Sequence, residues 1–320
     1  MQDFFQKLAA LVAFLPIFYG ACAVVQLTVI RPKTRYVVIG SFGTLAVLIG
    51  LTGILSLAVP EVLGTRSGSL LLVVAAVTLL PMFKRVRLLL GRLTPMDPNS
   101  TVDIAGIIVA FWILVIAGAA LFTIDLSAIA DQVQITVADS LVNVLAYPAL
   151  AFSLVGIWIT RTPREAVKRL GLERVTLRQV GISLALVVPL LVLAVGLDAV
   201  GRQLQPERYA ELEAILKTMS SGVTNPAIAV LLGFSAGIGE ELLLRGAVQP
   251  RLGIGLTALL FAVLHTQYGF SFAIVGILVV GIILGYQRKY MNTTACIITH
   301  GAYNTVVFLL SYFAGIGNGS

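Results

Sequence analysis

The sequence predicts an all-α, polytopic membrane protein with about ten transmembrane helices, and three observations carry that prediction. Of its 320 residues, 58% are hydrophobic and only 12% are charged, with a mean hydropathy of +0.98. A soluble domain is about half apolar and a quarter charged. The apolar residues fall in runs long enough to cross a bilayer as helices. The connections between the runs alternate in charge, as loops on opposite sides of a membrane do.

Taken in order, the apolar segments are 5–30, 36–59, 68–83, 102–124, 140–160, 178–198, 225–246, 254–267, 270–287 and 292–314. Arg31, Lys33 and Arg35 follow the first, and Lys84, Arg85, Arg87 and Arg92 follow the third. Arg161, Arg164, Lys168, Arg169, Arg174 and Arg178 follow the fifth. Arg245 and Arg251 follow the seventh, and Arg288 and Lys289 the ninth. The intervening connections carry Glu61, Asp125, Asp131, Asp139, Asp198, Glu207, Glu211 and Glu213. Basic loops stay in the cytoplasm, so both termini are expected outside. The eighth segment, "GLTALLFAVLHTQYG", is short for a span and reads as tilted or partly re-entrant. The first run lacks a clear A-x-A cleavage pattern and reads as a retained helix. Cys22 and Cys296 both lie in apolar runs, so no disulfide framework is expected. The net charge of +7 is explained by topology rather than by an anionic macromolecule, and no nucleic-acid partner is expected.

Two connections are longer. "RTPREAVKRLGLERVTLR" is basic and helical in propensity around Arg164–Leu170, which fits a surface helix drawn to anionic lipid. "DAVGRQLQPERYAELEAILKTMSSGVTN" is polar, and its run after Pro206 suggests a short amphipathic helix outside. A plain solvated linker is the simpler reading of each.

The stretch "GIGEELLLRG" places Glu240, Glu241 and Arg245 inside an apolar run. Ionisable groups there are costly and mark functional sites by default. Glu241 and Arg245 stand four apart on one helix face and suit a buried ion pair. Glu240 points about 100° away and has no partner in its own segment. A lone carboxylate at low dielectric suits a proton acceptor working near neutrality. The only two histidines, His265 and His300, also sit in apolar segments, and Asn304 shares a helix face with His300. Glutamate and histidine together can hold and deprotonate a water, while histidine and asparagine can bond an oxyanion. That set would hydrolyse an amide. Ser235 and a Cys296–His300 pair stand as alternative nucleophiles, although nothing marks Ser235 as activated and the second leaves the glutamates idle.

"EELLLR", "FAVLH" and "HGAYN" match E-E-x-x-x-R, F-x-x-x-H and H-x-x-x-N in order and at similar spacing. This motif set resembles that of the CPBP family, the CAAX protease and bacteriocin-processing (Abi-like) family of intramembrane endopeptidases. The resemblance covers about residues 225–315, with "RGAVQPRLG" also similar. It implies a conical intramembrane catalytic cavity in the C-terminal half. It implies that Glu240 and His265 activate water, that His300 and Asn304 form the oxyanion hole, and that Glu241, Arg245 and Phe261 support the site. It implies a membrane protein or lipidated, CaaX-like peptide as substrate, in the lipid bilayer of a prokaryotic plasma membrane. The better-understood members look glutamate-dependent and metal-free, so no cofactor is expected. A zinc site built from Glu240, His265 and His300 is the alternative.

The chain then divides into an N-terminal transmembrane extension of about four helices, residues 1–135, and a protease core, residues 136–320. The extension is expected to pack or to bind a partner. Two other function classes remain open: a scaffold, immunity or assembly factor of the same fold, and a proton-coupled transporter. The second predicts inverted repeats, which are not evident.

Overall fold

The computed structural model describes residues 2–59, 61, 63–130 and 133–315. Asp131, one of the acidic connecting residues, lies outside them. The described residues form helices and no β-strand. The N-terminal part comprises α1 (Gln2–Ile30), α2 (Arg35–Ala58), α3 (Thr65–Leu79), α4 (Lys84–Leu93), α5 (Thr101–Thr123) and the single turn α6 (Leu126–Ile129). Then come α7 (Val137–Leu154), α8 (Pro163–Leu170), α9 (Leu177–Ala185), α10 (Val187–Leu204) and α11 (Pro206–Ser220). The C-terminal part comprises α12 (Pro226–Glu240), a π-helix (Glu241–Val248), α13 (Gln249–Val263), α14 (Phe272–Tyr290) and α15 (Thr293–Phe313).

Nine stretches among the described residues are long and apolar enough to cross a membrane. Together with their exposed apolar flanks, such as Ile17, Val192 and Val195, they make this an integral multi-pass membrane protein. One stretch, Pro226–Val263, runs for 38 residues. As a straight helix it would measure about 57 Å, nearly twice the hydrocarbon thickness. It is not straight. Gly253 breaks it at φ 79°, ψ 173°, a conformation nearly confined to glycine. The Arg245 guanidinium carbon then lies 4.4 Å from the centroid of the Phe261 ring, where an unbroken helix would hold the two residues about 24 Å apart. The chain folds back at Gly253, and the two arms are the seventh and eighth expected segments. The eighth differs from expectation in its length. Its helix ends at Val263, and non-helical chain with one 3₁₀ turn at Thr266–Tyr268 leads to α14. Phe270 in that connection stacks on Phe122 near the end of α5, with ring centroids 4.5 Å apart.

The sixth segment is also in two pieces. Pro189 cannot donate to the carbonyl of residue 185, and α9 gives way to α10 at Leu186. Each of the two longer connections contains a helix, where plain linker was the simpler expectation. Thr162 and Glu165 form a capping box that starts α8, and Gly171 closes it in the left-handed conformation. α11 buries Tyr209, Leu212 and Ile215 against Leu126.

The centre of the C-terminal half is the pair α12 and α15, which approach to backbone contact. A Cβ on Gly237 would lie 2.7 Å from the Gly301 nitrogen, and one on Gly233 would lie 2.6 Å from that of Thr305. Small residues at such a seam let two membrane helices meet closely. The N-terminal helices are tied to this half. The Tyr19 hydroxyl donates to the Ile157 carbonyl at 3.0 Å, and Gln26 donates to that of Leu154 at 2.8 Å. Ile107 and Ala110 of α5 share a core with Leu252 and Leu260 of α13. Arg251, two residues before the Gly253 turn, pairs with Asp103.

Candidate active site

The site begins with two capped helices. Asn225 accepts from the Ile228 amide and, with Pro226 behind it, starts α12. Asn292 accepts from Ala295 and starts α15. The glycine seam then sets their register, so that Glu241, just past the end of α12 at Glu240, comes beside His300.

At Glu241 the helix widens into a π-helix that runs to Val248. Such segments occur frequently at functional sites. Glu241 and Arg245 form the expected ion pair across it, Nη1 to Oε1 at 3.1 Å, and both side chains are completely buried. Arg245 also donates weakly to the Gly281 carbonyl at 3.4 Å. The same Glu241 oxygen lies 2.8 Å from His300 Nδ1. Glu241 therefore holds Arg245 and His300 together, a link that helical spacing alone does not reveal. His300 Nε2 is the ring nitrogen left over for other work.

Glu240 takes a different environment. Its Oε2 lies 4.0 Å from His265 Nε2, and the two side chains keep 24% and 21% of their exposure. Glu241 keeps none, whereas the Glu240 side chain is partly exposed and its Oε2 is buried with no hydrogen-bond partner among the described residues, an unsatisfied acceptor facing His265. His265 is aimed by its own helix end. Its Nδ1 lies 2.7 Å from the carbonyl oxygen of Phe261. A carbonyl only accepts, so Nδ1 carries the hydrogen and Nε2 turns towards Glu240. The bond also satisfies a carbonyl of the last turn of α13.

Phe261 lies at the middle of the set. Its ring centroid is 4.7 Å from that of His265 and 5.8 Å from that of His300, both edge to face, while Arg245 lies over its face. Asn304 is one turn beyond His300 on α15, half-buried, and its side chain makes no hydrogen bond among the described residues. Its carboxamide is free for a ligand.

The alternative nucleophiles are placed differently. The Ser235 hydroxyl donates to the Leu232 carbonyl at 3.0 Å and is buried. The Cys296 thiol is buried against the carbonyls of Leu284 and Asn292, at 3.3 and 3.4 Å. The nearby His300 is engaged by Glu241 instead. Among the described residues no three His, Cys, Asp or Glu side chains gather closely enough to hold a metal ion, and that includes Glu240, His265 and His300.

Three tyrosines border the site that the motifs do not include. Tyr147 of α7 packs on Gly239, where a Cβ would meet its ring at 2.4 Å, and it interacts electrostatically with Glu240. Tyr268 also interacts electrostatically with Glu240 and with Tyr303, and its ring lies 6.2 Å from that of His265. Tyr268 lies three residues after His265 and Tyr303 three after His300, a regularity visible in the sequence.

A family model described as Type II CAAX prenyl endopeptidase Rce1-like matches residues 222–306. That span contains all seven of the residues Glu240, Glu241, Arg245, Phe261, His265, His300 and Asn304. No curated protein and no solved structure matches the chain. Over residues 222–306 this multi-pass membrane protein is thus similar to the Rce1-like type II CAAX prenyl endopeptidases, in keeping with the CAAX protease family its motifs resemble, and that similarity supports an intramembrane protease function.

Proposed function

We propose that the protein is an intramembrane endopeptidase in which Glu240 and His265 activate a water molecule against a peptide bond of a membrane-associated or lipidated, CaaX-like substrate. The observation that carries this reading is the 4.0 Å separation of Glu240 Oε2 and His265 Nε2, with the Glu240 Oε2 atom itself buried and without a hydrogen-bond partner among the described residues. A water about 2.8 Å from each atom would subtend about 90° at its oxygen, close enough to tetrahedral to bond both. Glu240 takes the water proton as the oxygen attacks the carbonyl carbon. The carbonyl oxygen becomes an oxyanion, for which Asn304 and a doubly protonated His300 supply hydrogen bonds. The proton held by Glu240 then passes to the leaving amine as the C–N bond breaks. Glu241 contributes by fixing His300 through Nδ1 and stays out of the proton transfer.

These residues supply a base and oxyanion donors without a metal, and we assign the reaction to the glutamate type. The positive-inside pattern of the basic connections supports an orientation with both termini outside the cytoplasm. The test is mass spectrometry of a prenylated CaaX peptide and its unprenylated twin after incubation with purified protein. Loss of the last three residues from the prenylated peptide supports the reading. A well-folded protein that cleaves neither peptide, nor a panel of membrane-segment peptides, returns the scaffold alternative.

A further inference from the structure

On the basic face of the molecule an open cleft is lined by Glu165, Lys168, Arg169, Pro250 and Arg288. It lies between α8, the chain leading into the Gly253 turn, and the last turn of α14. We propose that this cleft is a phosphate-binding site, filled either by the headgroup of an anionic phospholipid or by free phosphate.

Charge is the first argument. Three of the five lining residues are cations, and none of them forms an ion pair among the described residues. The single acid offsets only one of the three charges, and its Oε2 is turned to the helix start rather than to the cations. Glu165 Oε2 accepts from the Thr162 amide at 2.8 Å and from its hydroxyl at 2.9 Å, the capping box that starts α8. Burial, with Arg161 and Arg288 nearby, pushes Arg169 down to about 10. An anion between these groups relieves that repulsion.

Preorganisation is the second. Arg169 is half-buried and held, its Nη1 donating to the Gly246 carbonyl at 2.9 Å. Arg288 lies against Gly171, where a Cβ would come within 2.3 Å of its Nη2. The buried Nε of Arg288 has no hydrogen-bond partner. Arg169 is held by Nη1 and by a long Nη2 contact to the Ala247 carbonyl at 3.5 Å. The Arg288 guanidinium packs against Gly171 with its Nε left unpaired, and Lys168 adds a mobile charge, a set suited to phosphate oxygens. A solvated face of mobile side chains would show neither feature.

The position gives the site a consequence. Arg169 bonds the carbonyl of Gly246, on the same π-helix that carries Glu241 and Arg245. A bound phosphate therefore braces α8 against the helix that positions His300. This does not depend on the protein being a protease.

The test uses the full-length protein in nanodiscs of phosphatidylcholine, with a graded fraction of phosphatidylglycerol or, separately, with inorganic phosphate in the buffer. The readouts are Tm and the lipid retained in native mass spectrometry. Wild type is expected to rise in Tm and, in the lipid arm, to retain phosphatidylglycerol. The variant Lys168→Gln/Arg288→Gln is expected to lose affinity roughly tenfold or more. Arg164→Gln, an exposed charge on the same helix outside the cleft, is expected to behave as wild type. A response to phosphatidylglycerol alone assigns the site to a lipid headgroup, and a response to inorganic phosphate assigns it to the free ion. If the double variant does not fold, Lys168→Gln alone still lowers affinity severalfold. The proposal is overturned if wild type responds to neither ligand, if Arg164→Gln loses as much as the double variant, or if Lys168→Gln keeps full affinity.

Discussion

At the scale of single residues, adjacent glutamates do different work because their surroundings differ. Glu240 is partly exposed and faces His265 across a gap, whereas Glu241 is fully buried between Arg245 and His300. Glu240→Gln is expected to abolish turnover while leaving Tm near that of wild type, checked by a peptide assay and thermal melting of the same sample. Arg245→Ala is expected to cost about 3–5 kcal/mol, because it strands the buried Glu241 carboxylate. It should therefore appear first as lost folded yield in size-exclusion chromatography. A well-folded, active Arg245→Ala protein would show that the pair is not structural. The spacing of Glu241 and Arg245 made their pairing legible in the sequence. The bond from Glu241 to His300 was not legible, because it spans two helices whose register is set by their packing. Phe261 was picked out by its motif, and its contact with His265 is local, but its contacts with His300 and Arg245 depend on the chain reversal that follows residue 245.

At the scale of elements, two glycines do most to place the site. Gly237 allows α12 to touch α15 along the backbone, and Gly253 turns the chain so that Phe261 and His265 return towards Arg245 and Glu240. Gly237→Val is expected to push these helices apart. It should cost about 1–3 kcal/mol as overpacking and reduce turnover beyond the stability loss, measured as kcat on the fraction that remains folded. Gly253→Ala is expected to cost about 1–3 kcal/mol for a conformation alanine rarely adopts, read as a fall in Tm. The sequence does carry a signal for the first, since Gly233 and Gly237 make a small-xxx-small pair in an apolar helix. The second was visible only as an unusually short eighth segment. Apolar periodicity finds spans well because the bilayer enforces length and composition. It does not show where a long helical stretch folds back, or that Glu241–Val248 adopts the wider π-helical winding.

At the scale of the whole molecule, the N-terminal helices are built into the half that carries the site. Gln26 bonds the end of α7 and Tyr19 the chain just after it, and Asp103 meets Arg251 beside the Gly253 turn. A fragment comprising residues 136–320 is therefore expected to aggregate or melt well below the full chain, because it exposes the α13 face that Ile107 and Ala110 cover. Co-expression of residues 1–135 should restore it. The apolar patterning of the sequence anticipated the helical architecture and most of its span boundaries. It was silent on how the halves pack, since lipid-facing and helix-facing residues are equally apolar. The claim on which the account rests is that Glu240 acts as the base for water attack. It is tested most directly by the turnover of a quenched fluorescent prenylated CaaX peptide, comparing wild type with Glu240→Gln in the presence and absence of a chelator. The account predicts wild-type cleavage unaffected by the chelator and a loss of roughly a hundredfold or more in the variant. A folded Glu240→Gln protein that cleaves as fast as wild type would contradict it, and wild-type activity abolished by the chelator would replace the glutamate mechanism with a metal-dependent one.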